Sequence, residues 1–245
     1  MQRIGFSTGA LAYGDFRKGV ELQRRNGINA IELSALRESE LDGLIAALDD
    51  IDLEQFEYCS FHAPSSLEKL SERELVSKLS PIAKRKIPII VHPDIIHDAF
   101  YVWRELDDML LLENMDSRKA VCRTAAEMKV YFQELPTARF CFDIGHARQM
   151  DPTMTVAYEF LRDYRDRLAE VHISEVNWEC KHRNISTSAA LAFHETARWL
   201  PKDVPVIIES VIKEDEIDRE LATVRRCLDF DTPYFSNAQQ PLASA

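Results

Sequence analysis

Short apolar runs recur along the chain at intervals of about 30 residues, the length of one strand with a returning helix. They read "RIGFST" near Ile4, "AIELSAL" near Ile31, "EYCSFHAP" near Phe61 and "IPIIVHPD" near Ile90. "LLLENMD" near Leu112, "RFCFDIGH" near Phe142, "LAEVHISE" near Val171 and "VPVIIESV" near Ile208 complete a set of eight. Each is predicted to be a strand.

The intervening segments carry helical signals. "DFRKGVELQRRNG" reads as a helix closing on Gly27 as its C′ glycine. "SERELVSKL" opens with Ser71 and Glu74 at the spacing of a capping box. "DPTMTVAYEFLRDYRDRL" predicts Asp151 as N-cap and Pro152 at the first helical position, with Val156, Phe160, Leu161 and Tyr164 on one face. "EDEIDRELATVRRCL" places acids early and arginines late, as the helix dipole favours. Eight strand–helix units point to an α/β chain folded as one (β/α)8 barrel. A doubly wound open sheet is the alternative, because buried parallel strands look alike in both. The count of eight and the even spacing favour the barrel. Residues 1–229 are expected to form that single domain. In the remaining tail, 230–245, disorder is the simple reading, and docking of Tyr234 and Phe235 on the barrel or on a second subunit is the other.

Composition narrows the class. The chain has 245 residues, 46% of them hydrophobic, with no low-complexity block or Gly/Ser linker before the tail. With 41 acidic and 30 basic residues the formal net charge is −11, which argues against extensive nucleic-acid contact and against attraction to anionic membranes. Five cysteines without a C-x-x-C motif suggest neither a disulfide framework nor a zinc ribbon. The expectation is a cytoplasmic protein acting on a small molecule, with neither nucleic acid nor membrane as partner and with a homo-oligomer left open.

The strand ends carry the chemistry. His62, His92, Glu113, Asp143, His172 and Glu209 each end, or nearly end, an apolar run. A barrel gathers the carboxyl ends of its strands around one site. Singly, each residue has a bland reading: a strand-end histidine is more often a hydrogen-bonded structural group, and a glutamate could pair with a lysine. Six potential ligands converging on one rim are hard to explain as core filling, since buried charges are costly unless paired or metal-bound. Mixed carboxylate and imidazole donors suit Zn²⁺, Mn²⁺, Co²⁺ or Fe²⁺ better than Ca²⁺. His97 and His194 fall in helical stretches and read as surface or packing residues, and Cys59 and Cys141 as small core hydrophobes.

With "FHAPSS", "VHPD", "LENMD", "FDIGHARQMD", "VHIS" and "IIES" in that order, the sequence resembles the xylose-isomerase-like TIM barrels, which include sugar epimerases, inosose dehydratases and apurinic endonucleases. The resemblance spans roughly residues 3 to 228 and specifies a superfamily rather than an activity. In the epimerases it implies one divalent metal on Glu113, Asp143, His172 and Glu209. There the two glutamates also move the proton, and His146 holds a substrate oxygen. An arginine usually follows the His172 position by six residues; Trp178 stands there, with Lys181 or Arg183 available instead. In the endonucleases the resemblance implies up to three metals. The first lies on His62, His92 and Glu113, the second on the epimerase set, and the third on His146 and an Asp-x-His pair. Cys180 and His182 occupy that pair's spacing, cysteine replacing aspartate.

Three functions follow. A metal-dependent isomerase or epimerase would use Glu113 and Glu209 as acid and base on a small sugar or polyol. A zinc-dependent phosphoesterase would use Glu113 as a bridge and needs His62 and His92, which the isomerase can spare. A metal-binding barrel without catalysis is the third. The first is the leading expectation, with one to three divalent transition-metal ions per chain.

Overall fold

The computed structural model describes residues 2–97, 99–229 and 231–235. Eight parallel strands close into a barrel: β1 (Ile4–Ser7), β2 (Ala30–Ser34), β3 (Tyr58–His62), β4 (Ile89–Val91), β5 (Leu110–Glu113), β6 (Arg139–Asp143), β7 (Leu168–Ile173) and β10 (Val206–Ile208). All eight runs read from the sequence are present. β8 (Glu175–Val176) and β9 (His182–Arg183) pair antiparallel in a hairpin on the rim. The helices are α1 (Thr8–Ala12), α2 (Phe16–Leu22), α3 (Glu38–Ala47), α4 (Glu72–Lys84), α5 (Phe100–Trp103), α6 (Ala125–Glu134), α7 (Ile144–Met150), α8 (Thr155–Tyr164), α9 (Thr187–Ala197) and α10 (Ile217–Leu228). This is a (β/α)8 TIM barrel, not an open sheet, because β1 pairs with both β2 and β10.

Strands covered on both faces can be apolar throughout, and β4 and β10 are. Outward residues such as Phe140, Phe142, Val171 and Ile208 join the main core between barrel and helices. Inside the barrel the apolar filling is small: Ile90, Leu111, Cys141 and Ala169 form a separate cluster. Above it, inward positions are polar. Ala169 is one residue too many for its partner strand, since Phe140 pairs with Leu168 while Cys141 pairs with Glu170. This β-bulge flips the alternation of β7, turning Glu170 and His172 into the barrel. Bulges beside functional sites re-aim side chains in this way.

Three local expectations need correction. The helix that was to close on Gly27 ends at Leu22. Gly27 does take a positive φ of 88°, but it lies in the following turn, where Arg225 Nη2 donates to its carbonyl at 2.7 Å and any Cβ would strike that guanidinium. Asp151 closes α7 instead of opening the next helix. α8 starts at Thr155 because Met154, at φ 64°, turns the chain between them. The Asp151 carboxylate still accepts from the Val156 N–H at 3.2 Å. His97 lies in an exposed bend, not a helix. His194 is buried in α9, its ring against Tyr234 at 5.7 Å between centroids. The Ser71–Glu74 capping box is present as expected. Of the tail, 236–245 lies outside the described residues, while Tyr234 docks on its own chain beneath the Arg226 guanidinium.

Candidate metal centre

The strand ends meet in an open cleft of about 610 Å³ lined by His62, His92, Glu113, His146, His182 and Glu209, with Ser65, Ser66, Arg118 and Lys119 on one wall. His62, Glu113 and Asp143 are the last residues of their strands, and His92 and Glu209 lie one position beyond theirs. Asp143 ends β6 and caps α7 with no loop between, its Oδ1 accepting the His146 N–H at 2.7 Å. That brings Asp143 and His146 to one place despite their strand and helix origins. Gly145 lets α7 press against β7, because a Cβ there would sit 2.3 Å from the Ser174 carbonyl oxygen. The Asn114 amide extends the sheet by one rung, accepting from Asp143 N and donating to Asp143 O, each at 2.8 Å.

Glu113 lies at the centre. Its Oε2 faces His92 Nε2 at 3.1 Å and His62 Nε2 at 3.4 Å. Its Oε1 faces His146 Nδ1 at 3.4 Å and His172 Nδ1 at 3.5 Å. His172 Nδ1 also lies 3.4 Å from Glu209 Oε1. Donor atoms gather within 4.8 Å of one another in three overlapping groups around the cleft: His62–His92–Glu113, Glu113–Asp143–His172–Glu209 and Asp143–His146–His182. Every predicted ligand is therefore in the cluster. Cys180 is not; its thiol receives Gln149 Nε2 at 3.3 Å and lies 3.4 Å from Ser117 Oγ. Asp143 supplies the third group's carboxylate instead.

The protonation pattern explains why this cluster needs cations. His62 Nδ1 lies 2.7 Å from the Ala63 carbonyl and His146 Nδ1 2.9 Å from the Asn114 carbonyl. A carbonyl only accepts, so each Nδ1 carries a hydrogen, and in the neutral ring Nε2 is the bare nitrogen. Bare His62 Nε2 then confronts a carboxylate oxygen, acceptor against acceptor. Glu113 Oε2, Asp143 Oδ2, His146 Nε2 and His172 Nδ1 are all buried without a hydrogen-bond partner among the described residues. Either protons or metal ions must sit between such atoms.

Electrostatics divides the carboxylates. Burial alone would push Glu113 up, but the His92, His172 and His62 imidazoles facing it outweigh burial and hold Glu113 well below the usual carboxylate range. Burial pushes Glu209 well above that range, with Glu113 and Asp143 adding to the shift. Asp143 is also raised, by burial first. Burial opposes the charged forms of His62 and His172, yet Glu32 beside both, Glu113 beside the first and Glu209 beside the second leave each raised. His182 is pushed down to about 3 by burial and by His146.

Arg118 and Lys119 on the cleft wall went unread in the sequence, as did the fully buried Glu32 and Glu170. Arg118 pairs with buried Asp116 through Nη2, and Lys119 Nζ with Asp94 at 2.6 Å. Trp178, in place of the arginine of sugar epimerases, is 85% exposed at the hairpin tip. Neither Lys181 nor Arg183 is among the cleft residues.

No family model and no curated protein sequence matches the chain. Solved structures share its fold. Endonuclease IV from Thermus thermophilus is 16% identical, with a TM-score of 0.58 over 93% of this chain and 99% of that one. A xylose isomerase domain protein from Alicyclobacillus acidocaldarius is 13% identical, with a TM-score of 0.61 over 94% and 99%. A xylose isomerase-like TIM barrel protein from Mycobacterium smegmatis, solved in complex with magnesium, is 10% identical, with a TM-score of 0.55 over 93% and 97%. These likenesses show the fold, a (β/α)8 barrel shared with the three structures. No helix among the described residues is long and apolar enough to cross a membrane.

Proposed function

We propose that the chain is a divalent-metal-dependent hydrolase that cleaves a phosphoester of a small molecule. The observation that carries this reading is the division of Glu113, one oxygen facing the His62–His92 pair and the other facing His172. A carboxylate so placed suits two ions, one on His62, His92 and Glu113 and one on Glu113, Asp143, His172 and Glu209. His146 and His182, with Asp143, offer a third position. Bound there, divalent ions would acidify a water molecule and withdraw charge from a phosphoryl oxygen.

The chain's own residues supply the rest. Arg118 and Lys119, which line the cleft with Ser65 and Ser66, orient the anionic end of the substrate. When it is not holding the second ion, Glu209, whose carboxyl burial pushes well above the usual range, can donate a proton to a leaving oxygen. The cleft has the size of a small-molecule site, and the net charge of −11 disfavours a long polyanion.

The isomerase reading is second. The raised Glu209 favours it, since a carboxyl that burial pushes above the usual range carries a proton more readily than an ordinary one. It asks the same of Glu113, which sits among histidines that keep it a weak base. One screen separates the two. Metal-loaded protein is offered small phosphoesters and free sugars in heavy water. Phosphate release without carbon-bound deuterium in the product supports the hydrolase. Deuterium on a product carbon without phosphate release supports the isomerase.

A further inference from the structure

Glu32 on β2 and Glu170 on β7 are both fully buried inside the barrel, one layer below the metal cluster. Nothing in the proposed chemistry uses them. Barrel interiors are ordinarily filled by branched apolar side chains, and each buried carboxylate costs several kcal/mol of desolvation unless well paired. Both converge on a single atom. His172 Nε2 lies 2.8 Å from Glu170 Oε1 and 3.1 Å from Glu32 Oε2. The hydrogen bond from His172 goes to Glu170, so Glu32 Oε2 meets the ring as a charge beside it, and both Glu32 Oε2 and the second oxygen of Glu170 lack a hydrogen-bond partner among the described residues. Glu32 Oε1 accepts from Ser34 Oγ at 3.1 Å, and Ser34 Oγ lies 2.7 Å from Ser7 Oγ on the cleft floor.

We infer that Glu32 and Glu170 are positioning residues that fix the His172 ring for metal binding through Nδ1. A carboxylate can only accept, so His172 Nε2 must carry a hydrogen, and in the neutral ring that binds metal Nδ1 is the bare nitrogen. That nitrogen faces Glu113 Oε1 and Glu209 Oε1. His62 is set the opposite way, since the Ala63 carbonyl takes its Nδ1 hydrogen and leaves Nε2 for the cleft. Negative charge behind the ring also makes Nδ1 a stronger donor. The β7 bulge belongs to the same device, because regular pairing through Ala169 would turn both Glu170 and His172 outward. The stability lost by burying two carboxylates around one imidazole is the cost of a prearranged ligand.

The inference rests on the metal reading of the preceding section, and the test separates their failures. Glu32→Gln and Glu170→Gln are made singly and together. Each keeps side-chain size and an acceptor oxygen but removes the charge. Cobalt(II) affinity is measured by chelator competition, alongside the visible absorption of the cobalt-loaded protein. Melting of the metal-free protein is recorded in parallel. Each single variant should bind cobalt about 10–100-fold more weakly with a displaced visible spectrum, while the metal-free melting temperature stays level or rises. Histidine ring NMR of the zinc-loaded wild type should show a protonated Nε2 and a metal-bound Nδ1 at His172. Unchanged affinity and spectrum in the folded variants would overturn the inference alone. So would a fall in metal-free melting temperature with an unaltered spectrum, which marks a purely structural role. If one variant does not fold, the other decides, since both acids meet the same nitrogen. A wild type that takes up no metal at all would overturn the metal reading and this inference together.

Discussion

The Asp143 carboxylate accepts the backbone N–H of His146 at 2.7 Å, so that one residue ends a barrel strand, caps the next helix and presents its other oxygen to the cluster of potential ligands. The arrangement depends on Gly145, wedged against the Ser174 carbonyl. Gly145→Ala puts a methyl group 2.3 Å from that oxygen. Backbone must move, and overpacking of this kind costs about 1–3 kcal/mol. The expected outcome is a lower melting temperature together with reduced metal content, since Asp143 and His146 move with α7. Calorimetry and elemental analysis of the purified variant check both.

His62 and His92 contact Glu113 through the oxygen that faces away from His172. Replacing both by alanine should lower the metal stoichiometry by one and leave the Asp143–His172–Glu209 position filled. Elemental analysis against the wild type decides it, and unchanged stoichiometry would assign the two histidines to substrate.

Metal uptake should strengthen as pH rises. His62, His146 and His172 all have pKa values raised above the ordinary 6.5, as neighbouring carboxylates overcome burial. A histidine with a raised folded pKa stabilises the fold below its unfolded pKa, and that contribution is lost as pH climbs through the folded value. Asp143 and Glu209, also raised, act in the same direction when they ionise. The depressed acids Glu113 and Glu32 contribute in the opposite sense, but their contribution is lost only below about pH 4.5. The metal-free protein should therefore weaken as pH rises above about 6.5. The gain in melting temperature on adding zinc should grow over the same range. A gain independent of pH would mean that metal does not displace these protons.

Glu209→Gln keeps size and one ligating oxygen but carries no proton for a leaving group. Turnover in whichever assay the screen provides should fall by about 10²–10⁴, with metal content largely retained. Loss of metal instead would make Glu209 chiefly a ligand.

Much of this was legible in the sequence because two kinds of signal coincided. The apolar runs located the strands, and the ligand residues stood where those runs stop. The deeper layer was not legible. In a strand apolar on both faces, nothing in "AIELS" tells which way Glu32 points. In "LAEVHIS" the bulge at Ala169 inverts the phase that simple alternation gives Glu170. The Cys180–His182 spacing suggested a joint role, but a positive φ at Cys180 turns its thiol towards Ser117 and Gln149 while His182 enters the cleft. The late start of α8 has a similar origin, since Met154 adopts a left-handed backbone that no nearby residue type announces.

The central claim is that Glu113 bridges two metal positions. Crystals of the zinc-loaded protein, measured above and below the zinc absorption edge, test it directly. At least two anomalous peaks are expected, one beside each Glu113 oxygen, the first within bonding distance of His62 and His92 and the second of Asp143, His172 and Glu209. A single peak, with Glu113 Oε2 still turned to unmetallated histidines, would contradict it.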